Sequence, residues 1–236
     1  MELSELFNRL SLGELSNLSM SNSGSGEIQE DSKAKLTMYC NEALLRLYTR
    51  FILKENDVIV EMVEGTTFYH LLKRFAEQSY NKNDPEIYPY IKDLSREKFE
   101  EDVVKILSIY DNTGHKRPLN NDNEWDSLYT PQHNIVQNPS YRDGEVLSIH
   151  YQAKHKLLVW DDVEEQTIYL PEVLEGALTN YIAYKVYSHM NTQESVSRAA
   201  EYLSTYSNIC DEVIERDLVN SSISNSNDKF WARGFR

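Results

Sequence analysis

The chain has 236 residues, 40% hydrophobic and 26% charged, which is enough apolar material for one folded domain or a domain carrying an insertion. Thirty-eight Asp and Glu against 24 Lys and Arg leave a formal charge of −14. That balance excludes a general nucleic-acid binder, whose affinity comes mostly from bases held against phosphates.

Leu3, Leu6, Phe7 and Leu10 recur at helical spacing, and Ser11 with Glu14 predicts a capping box that restarts a helix through Leu15 and Leu18. Ser21-Asn-Ser-Gly-Ser-Gly26 should break it. A second helix is predicted from about Ser32 to Leu53, with Leu36, Tyr39, Cys40, Ala43, Leu47 and Phe51 on one face. Leu44, Leu45, Tyr48 and Ile52 extend that face, so two packing neighbours are expected.

After Asn56 the period shortens. Asp57 to Val63 is rich in β-branched residues, Glu64-Gly65 signals a turn, and Val103 to Tyr110 alternates as a strand would. Glu145 to Ala153, Leu157 to Trp160 and Gln166 to Leu170 are further strand candidates. Two long connections separate them. Residues 76–98 carry Tyr80, Tyr88 and Tyr90, and residues 111–144 carry Trp125 and Tyr129 with a short strand near Asn134 to Gln137. Both are expected to be arms that present these aromatics to a neighbouring subunit or tail component.

Helix returns at Pro171, a residue suited to a first helical turn, where Glu172 and Glu175 oppose the positive dipole end. Leu174, Ala177, Leu178, Tyr181, Ile182, Tyr184 and Val186 cover much of that helix. Asn191 with Glu194 predicts another capped start, followed by a stripe of Val196, Ala199, Ala200, Leu203, Tyr206, Cys210, Val213 and Leu218. The expected class is therefore α+β: an antiparallel helical bundle (1–54 and 171–219), a β-rich insertion with long loops (55–170), and an extended C-terminal tail (220–236).

Chemistry-bearing patterns are sparse. Cys40 and Cys210 fall on apolar stripes, as small buried hydrophobes do. His150 and His155 would point to opposite faces of a strand. Asn120 to Asp126 alternates carboxylates as a calcium loop does, but lacks the sixth-position glycine and the closing glutamate. Asp161 to Glu165 is a charged turn. Without a phosphate loop, nucleophile elbow or zinc helix, the expectation is a non-enzymatic protein with no catalytic residues, cofactor or metal. No signal-peptide pattern or stretch of about 18 apolar residues is found, so no membrane association is expected.

The last segment is the most distinctive. A polar run, Asn220 to Asn227, precedes Asp228-Lys-Phe-Trp-Ala-Arg-Gly-Phe-Arg236, which sets three bases among three aromatics on an acidic chain. One reading is a docking peptide on a tether. The other is that the aromatics fold back on the chain's own surface and the bases pair with its acids.

Several blocks resemble head-to-tail adaptor (connector) proteins of short-tailed bacteriophages. They are Leu10-Ser-Leu-Gly-Glu-Leu15; Val104-Lys-Ile-Leu-Ser-Ile-Tyr-Asp-Asn-Thr-Gly114 with Pro118-Leu-Asn120, Tyr129-Thr-Pro131 and Ile149-His-Tyr-Gln-Ala153; and Ile168-Tyr-Leu-Pro-Glu-Val-Leu-Glu-Gly-Ala-Leu178 with Tyr181-Ile-Ala-Tyr-Lys185. The terminus adds Lys229-Phe230 and Arg233-Gly-Phe235, with Phe235 where the family pattern has Trp. The resemblance implies a twelve-copy ring at the virion's head-tail junction, made in the host cytoplasm, which joins the portal protein to the tail nozzle. It further implies that tail fibre proteins dock on the outward β part and that genome DNA passes through without specific binding. The portal-binding residues it implies are Lys229, Phe230, Trp231, Arg233, Gly234, Phe235 and Arg236. A tail nozzle or other tail component, and less so a soluble enzyme with a dispersed carboxylate site, are the alternatives.

Overall fold

The computed structural model describes residues 1–21, 27–82, 88–93, 98–140, 144–161, 166–190 and 192–219. Among these the fold is α+β, with four α-helices and two antiparallel sheets. The tail and its candidate residues Lys229 to Arg236, the break at Asn22 to Gly26 and most of the Asp161 to Glu165 turn lie outside the described residues.

Helix α1 (Leu3–Leu12) buries Leu3, Leu6, Phe7 and Leu10 as the spacing requires. It stops at Gly13, whose N–H donates to Arg9 O at 2.8 Å; a Cβ there would stand 2.9 Å from that oxygen. The expected helical restart does not occur. Ser11 lies inside α1, buried, with its hydroxyl 2.6 Å from that of Ser21, so it caps nothing. Helix α2 (Glu30–Arg50) buries the whole predicted face from Leu36 to Phe51, and of the second stripe Leu44 and Tyr48 are buried while Leu45 is 49% exposed. Pro171 opens a 3-10 turn, Glu172–Leu174, that runs into α3 (Glu175–Ser188). Helix α4 (Gln193–Glu215) is capped by Thr192 and Ser195, each backbone N–H donating to the other's hydroxyl at 3.1 Å. Asn191 lies outside the described residues. The predicted stripe is correspondingly imperfect: Ala199, Tyr206, Cys210 and Val213 are buried, but Val196, Ala200 and Leu218 face out.

The strands are β1 (Glu55–Glu61), β2 (Phe68–His70), β3 (Ile91–Lys92), β4 (Val103–Tyr110), β5 (Lys116–Arg117), β6 (Tyr129–Gln132), β7 (Ile135–Gln137) and β8 (Val146–Ala153). They form a five-stranded sheet in the order β3-β1-β8-β4-β5 and a three-stranded sheet in the order β2-β7-β6. Val58, Val60, Ile106, Ile109, Leu147, Ile149 and Tyr151 share a core separate from that of the helices. Gly114, at φ 81, lets β4 turn into β5, and Asp111 accepts from the N–H groups of Thr113 and His115 inside that turn.

The described residues of 111–144 thus contribute β5 to one sheet and β6 and β7 to the other instead of forming a free arm. A buried ion pair ties this stretch together. The Arg117 guanidinium bonds Glu145 and also donates to Asp126 O, at 2.6 Å from Nη2, while Asn138 donates to the other Glu145 oxygen at 3.3 Å. Removing either charge would strand its partner away from water.

Leu157 to Trp160, expected as a strand, forms no ladder, and Gln166 to Leu170, also expected as one, makes a single antiparallel bridge, Thr167 with Glu2. Side-chain amides satisfy the backbone of the first: Asn41 accepts from Leu158 N–H and donates to its carbonyl, both at 2.9 Å, and Gln166 does the same for Val159 at 2.7 Å. In the second, Gln166 O accepts from Leu3 N–H at 3.0 Å and Ile168 N–H donates to Met1 O at 2.8 Å. Leu158 and Ile168 are buried in the helical core, so the strand region closes at Ala153 and not at 170.

The chain crosses between the two cores at one junction. Gln152 Nε2 donates to Tyr48 O and, at 3.1 Å, to Phe51 O, satisfying carbonyls at the C-terminal end of α2. Ala153 N–H reaches Lys54 O at 2.9 Å. Asp102, 5% exposed, accepts from Lys54 Nζ at 3.0 Å, from Tyr151 OH at 2.8 Å and from Asn56 at 3.3 Å. Gln152→Leu is expected to lower unfolding free energy by about 1–3 kcal/mol, because buried acceptors lose their donor. Leu45→Ala on the exposed side of α2 should stay within about 0.5 kcal/mol. Urea denaturation of the two variants checks this, and equal losses would contradict it.

Candidate docking surface

Two segments, 155–159 and 166–169, bound a cleft of about 360 Å³ lined by His155, Lys156, Leu157, Leu158, Val159, Gln166, Thr167 and Tyr169. Only Leu158 of its apolar residues turns inward. Leu157 and Tyr169 are 71% and 72% exposed, and Val159 and the adjacent Trp160 are about half exposed. With both backbone polar groups of Leu158 and of Val159 committed to Asn41 and Gln166, the rim meets solvent through the apolar side chains of Leu157, Val159 and Tyr169 together with Lys156. Exposed apolar clusters are a common feature of surfaces that contact a partner.

His155 holds the cleft to the helices. Its ring lies edge-on to Tyr48, centroids 5.4 Å apart, and its Nε2 accepts from Tyr169 N–H at 3.2 Å while Nδ1 donates to Lys156 O at 2.5 Å. Tyr48 OH in turn donates to Tyr169 O. Burial lowers the His155 pKa below the usual 6.5, against the Lys156 carbonyl, which raises it, and with the Lys54 charge, which lowers it further. The acceptor role of Nε2 also needs a neutral ring. Burial raises the Tyr48 phenol to about 12.

The aromatics expected to contact partners are not gathered in one place. Tyr90 is buried: it stacks on Phe75 with centroids 4.7 Å apart, accepts from His70 N–H and donates to His70 O, both at 2.8 Å. It is core and not a contact residue, because its hydroxyl serves the β2 backbone. Tyr80 is half-buried. Tyr88 and Trp125 are exposed, at 57% and 71%, and the Trp125 carbonyl accepts from Ser140. Tyr129, on β6, is hydrogen-bonded to Asp122, which raises its pKa. The sequence reading missed Leu157, Val159, Trp160 and Tyr169 as surface residues. The available signal was the unbroken apolar run Leu157 to Trp160, which no half-buried strand can hide on one face.

His150 stands on β8 between Asp57, at 2.8 Å, and Glu55, at 3.0 Å, while His155 lies beyond the strand in the cleft. Among the described residues no group of His, Cys, Asp and Glu is arranged to hold a metal ion, and no helix is long and apolar enough to cross a membrane. No protein-family model matches the chain, and no curated protein matches it.

The His155 shift predicts an acid-side weakness. The unfolded ring binds a proton near pH 6.5 and the folded ring resists it, so this contribution is complete above that value and lost as pH falls below it. Between pH 7 and pH 5 the urea midpoint should fall further in the wild type than in His155→Asn; parallel falls would contradict the assignment.

Proposed function

We propose that the chain is a structural virion protein, a head-to-tail adaptor whose copies form a ring joining the portal to the tail nozzle around the genome channel. In this reading the helices form the bundle of the ring body, the strands form an insertion directed at tail components, and residues 229–236 bind the portal. The observation that carries it is how the resembling blocks lie in the fold. Val104 to Gly114 and Ile149 to Ala153, far apart in sequence, are the paired strands β4 and β8, with Ile109 opposite Ile149, and Ile168 to Leu178 leads from the cleft into α3. A ring also needs unlike faces that meet head to tail. The exposed apolar cleft and the outlying Trp125 and Tyr88 offer separate contact points.

The energetics favour many weak joints. The apolar gain from burying Phe230, Trp231 and Phe235 is of the same order as the cost of ordering the segment that carries them, so a single tail binds weakly. Copies held in a ring make later contacts intramolecular, and avidity holds the joint. The acidic balance limits adhesion of passing DNA by like-charge repulsion.

Deleting residues 225–236 should leave a folded protein, by circular dichroism and thermal melting, that no longer co-sediments with portal rings. Undiminished co-sedimentation would overturn the assignment of the tail.

A further inference from the structure

We infer that the cleft between residues 155–160 and 166–169 is a docking site for the chain's own aromatic and basic segment, Lys229 to Arg236, which it covers until a partner takes that segment. Three observations lead there: the surface needs a cover, a suitable cover starts close by, and the charges at one end match.

The cleft is built to receive apolar side chains. Leu157, Val159, Trp160 and Tyr169 stand out around it, and the backbone beneath is already satisfied by Asn41 and Gln166. Its occupant therefore has little need to add a strand, and gains by laying rings against the rim. Phe230, Trp231 and Phe235 are large apolar residues within a short stretch that belongs to no described element.

The tether starts at the same end of the molecule. Leu218 N–H returns to Val213 O, folding the chain back at the end of α4, and Val219 packs on the helical core. That end of α4 lies by the start of α3 and the end of α2: Ile209 Cδ1 is 3.5 Å from where a Gly176 Cβ would be, and Asp211 bonds Arg50. The same end carries the cleft, because Tyr48, two residues before Arg50, holds Tyr169. From Val219, the polar run Asn220 to Asn227 spans up to about 26 Å when extended, which sets the reach that the proposal requires between Val219 and Tyr169.

Charge sets the direction. Asp161 follows Trp160, and Glu2 accepts from Thr167 at 3.0 Å, so acids stand at the end of the cleft away from Tyr169. Lys156 lines the cleft itself. A segment entering at Tyr169 lays Asp228 near Lys156 and carries Arg233 and Arg236 on towards Asp161 and Glu2.

The proposal uses the same tail as the adaptor reading but does not require the portal. Hydrogen exchange on the full chain tests it, comparing wild type, Phe230→Ala/Trp231→Ala and Leu157→Asp. The tail variant touches no described element, and Leu157 is exposed, so both should fold. Amides of 155–160 and 166–170 are expected to exchange about tenfold more slowly in the wild type than in either variant, at every protein concentration. Equal exchange overturns the proposal. Protection that grows with protein concentration also overturns it, since the cover would then be a second copy. Portal co-sedimentation separates this outcome from the adaptor reading: Leu157→Asp, with its tail released, should bind portal rings at least as well as wild type. Equal cleft exchange in wild type and tail variant, with portal binding lost in the variant, leaves the adaptor reading standing alone; slower cleft exchange in the wild type than in the tail variant, with portal binding intact in that variant, leaves only the docking site.

Discussion

Gln152 and Asp102 sit where the chain leaves the helical core after Phe51 and returns to it after Ala153: Gln152, on the returning strand, bonds the Tyr48 and Phe51 carbonyls, and Asp102 bonds Lys54 on the outgoing side and Tyr151 on the returning one. Backbone at such a point belongs to neither helix nor ladder, so side chains must satisfy it. Asp102, 5% exposed, has its carboxylate hydrogen-bonded by Lys54, Tyr151 and Asn56, and loss of those partners would leave buried polar atoms unpaired. The effect reaches the surface through one residue. Tyr48 gives its carbonyl to Gln152, its hydroxyl to Tyr169 and its ring to His155, so the junction and the cleft are positioned together.

The same device, an amide side chain standing in for a ladder, explains what the sequence showed and what it hid. Residues 36–51 were legible as a helix because a wide apolar stripe has only one periodic interpretation, and β4 and β8 because their alternation is long. Leu157 to Trp160 was apolar and short, and nothing local says that Asn41, from a distant helix, will saturate Leu158. Arg117 and Glu145 posed the same difficulty, since a pair separated by 28 positions ties an apparent arm into folded sheet. The start of α4 differed too: Thr192 and Ser195 form its cap, and Val196, placed on the buried stripe by its spacing, is exposed.

The candidate site was legible in kind more than in place. An acidic chain with many exposed aromatics and few catalytic patterns reads as an interaction protein from sequence alone, and the described surface keeps that character at Trp125, Tyr88 and the cleft. Tyr90 was misplaced because a tyrosine in a polar stretch looks available, whereas its hydroxyl can satisfy both backbone groups of His70 and so permit burial. A tail that is parked on its own body and handed to a partner would make both sequence readings of residues 228–236 true in succession. Docking would then be an exchange of apolar covers, which suits a joint assembled from many weak contacts.

Electron microscopy of the protein mixed with its portal tests the adaptor reading most directly. Class averages down the ring axis should show a twelvefold collar added beneath the portal, with density bridging to it from each copy. Bare portal rings in the presence of excess folded protein would contradict it.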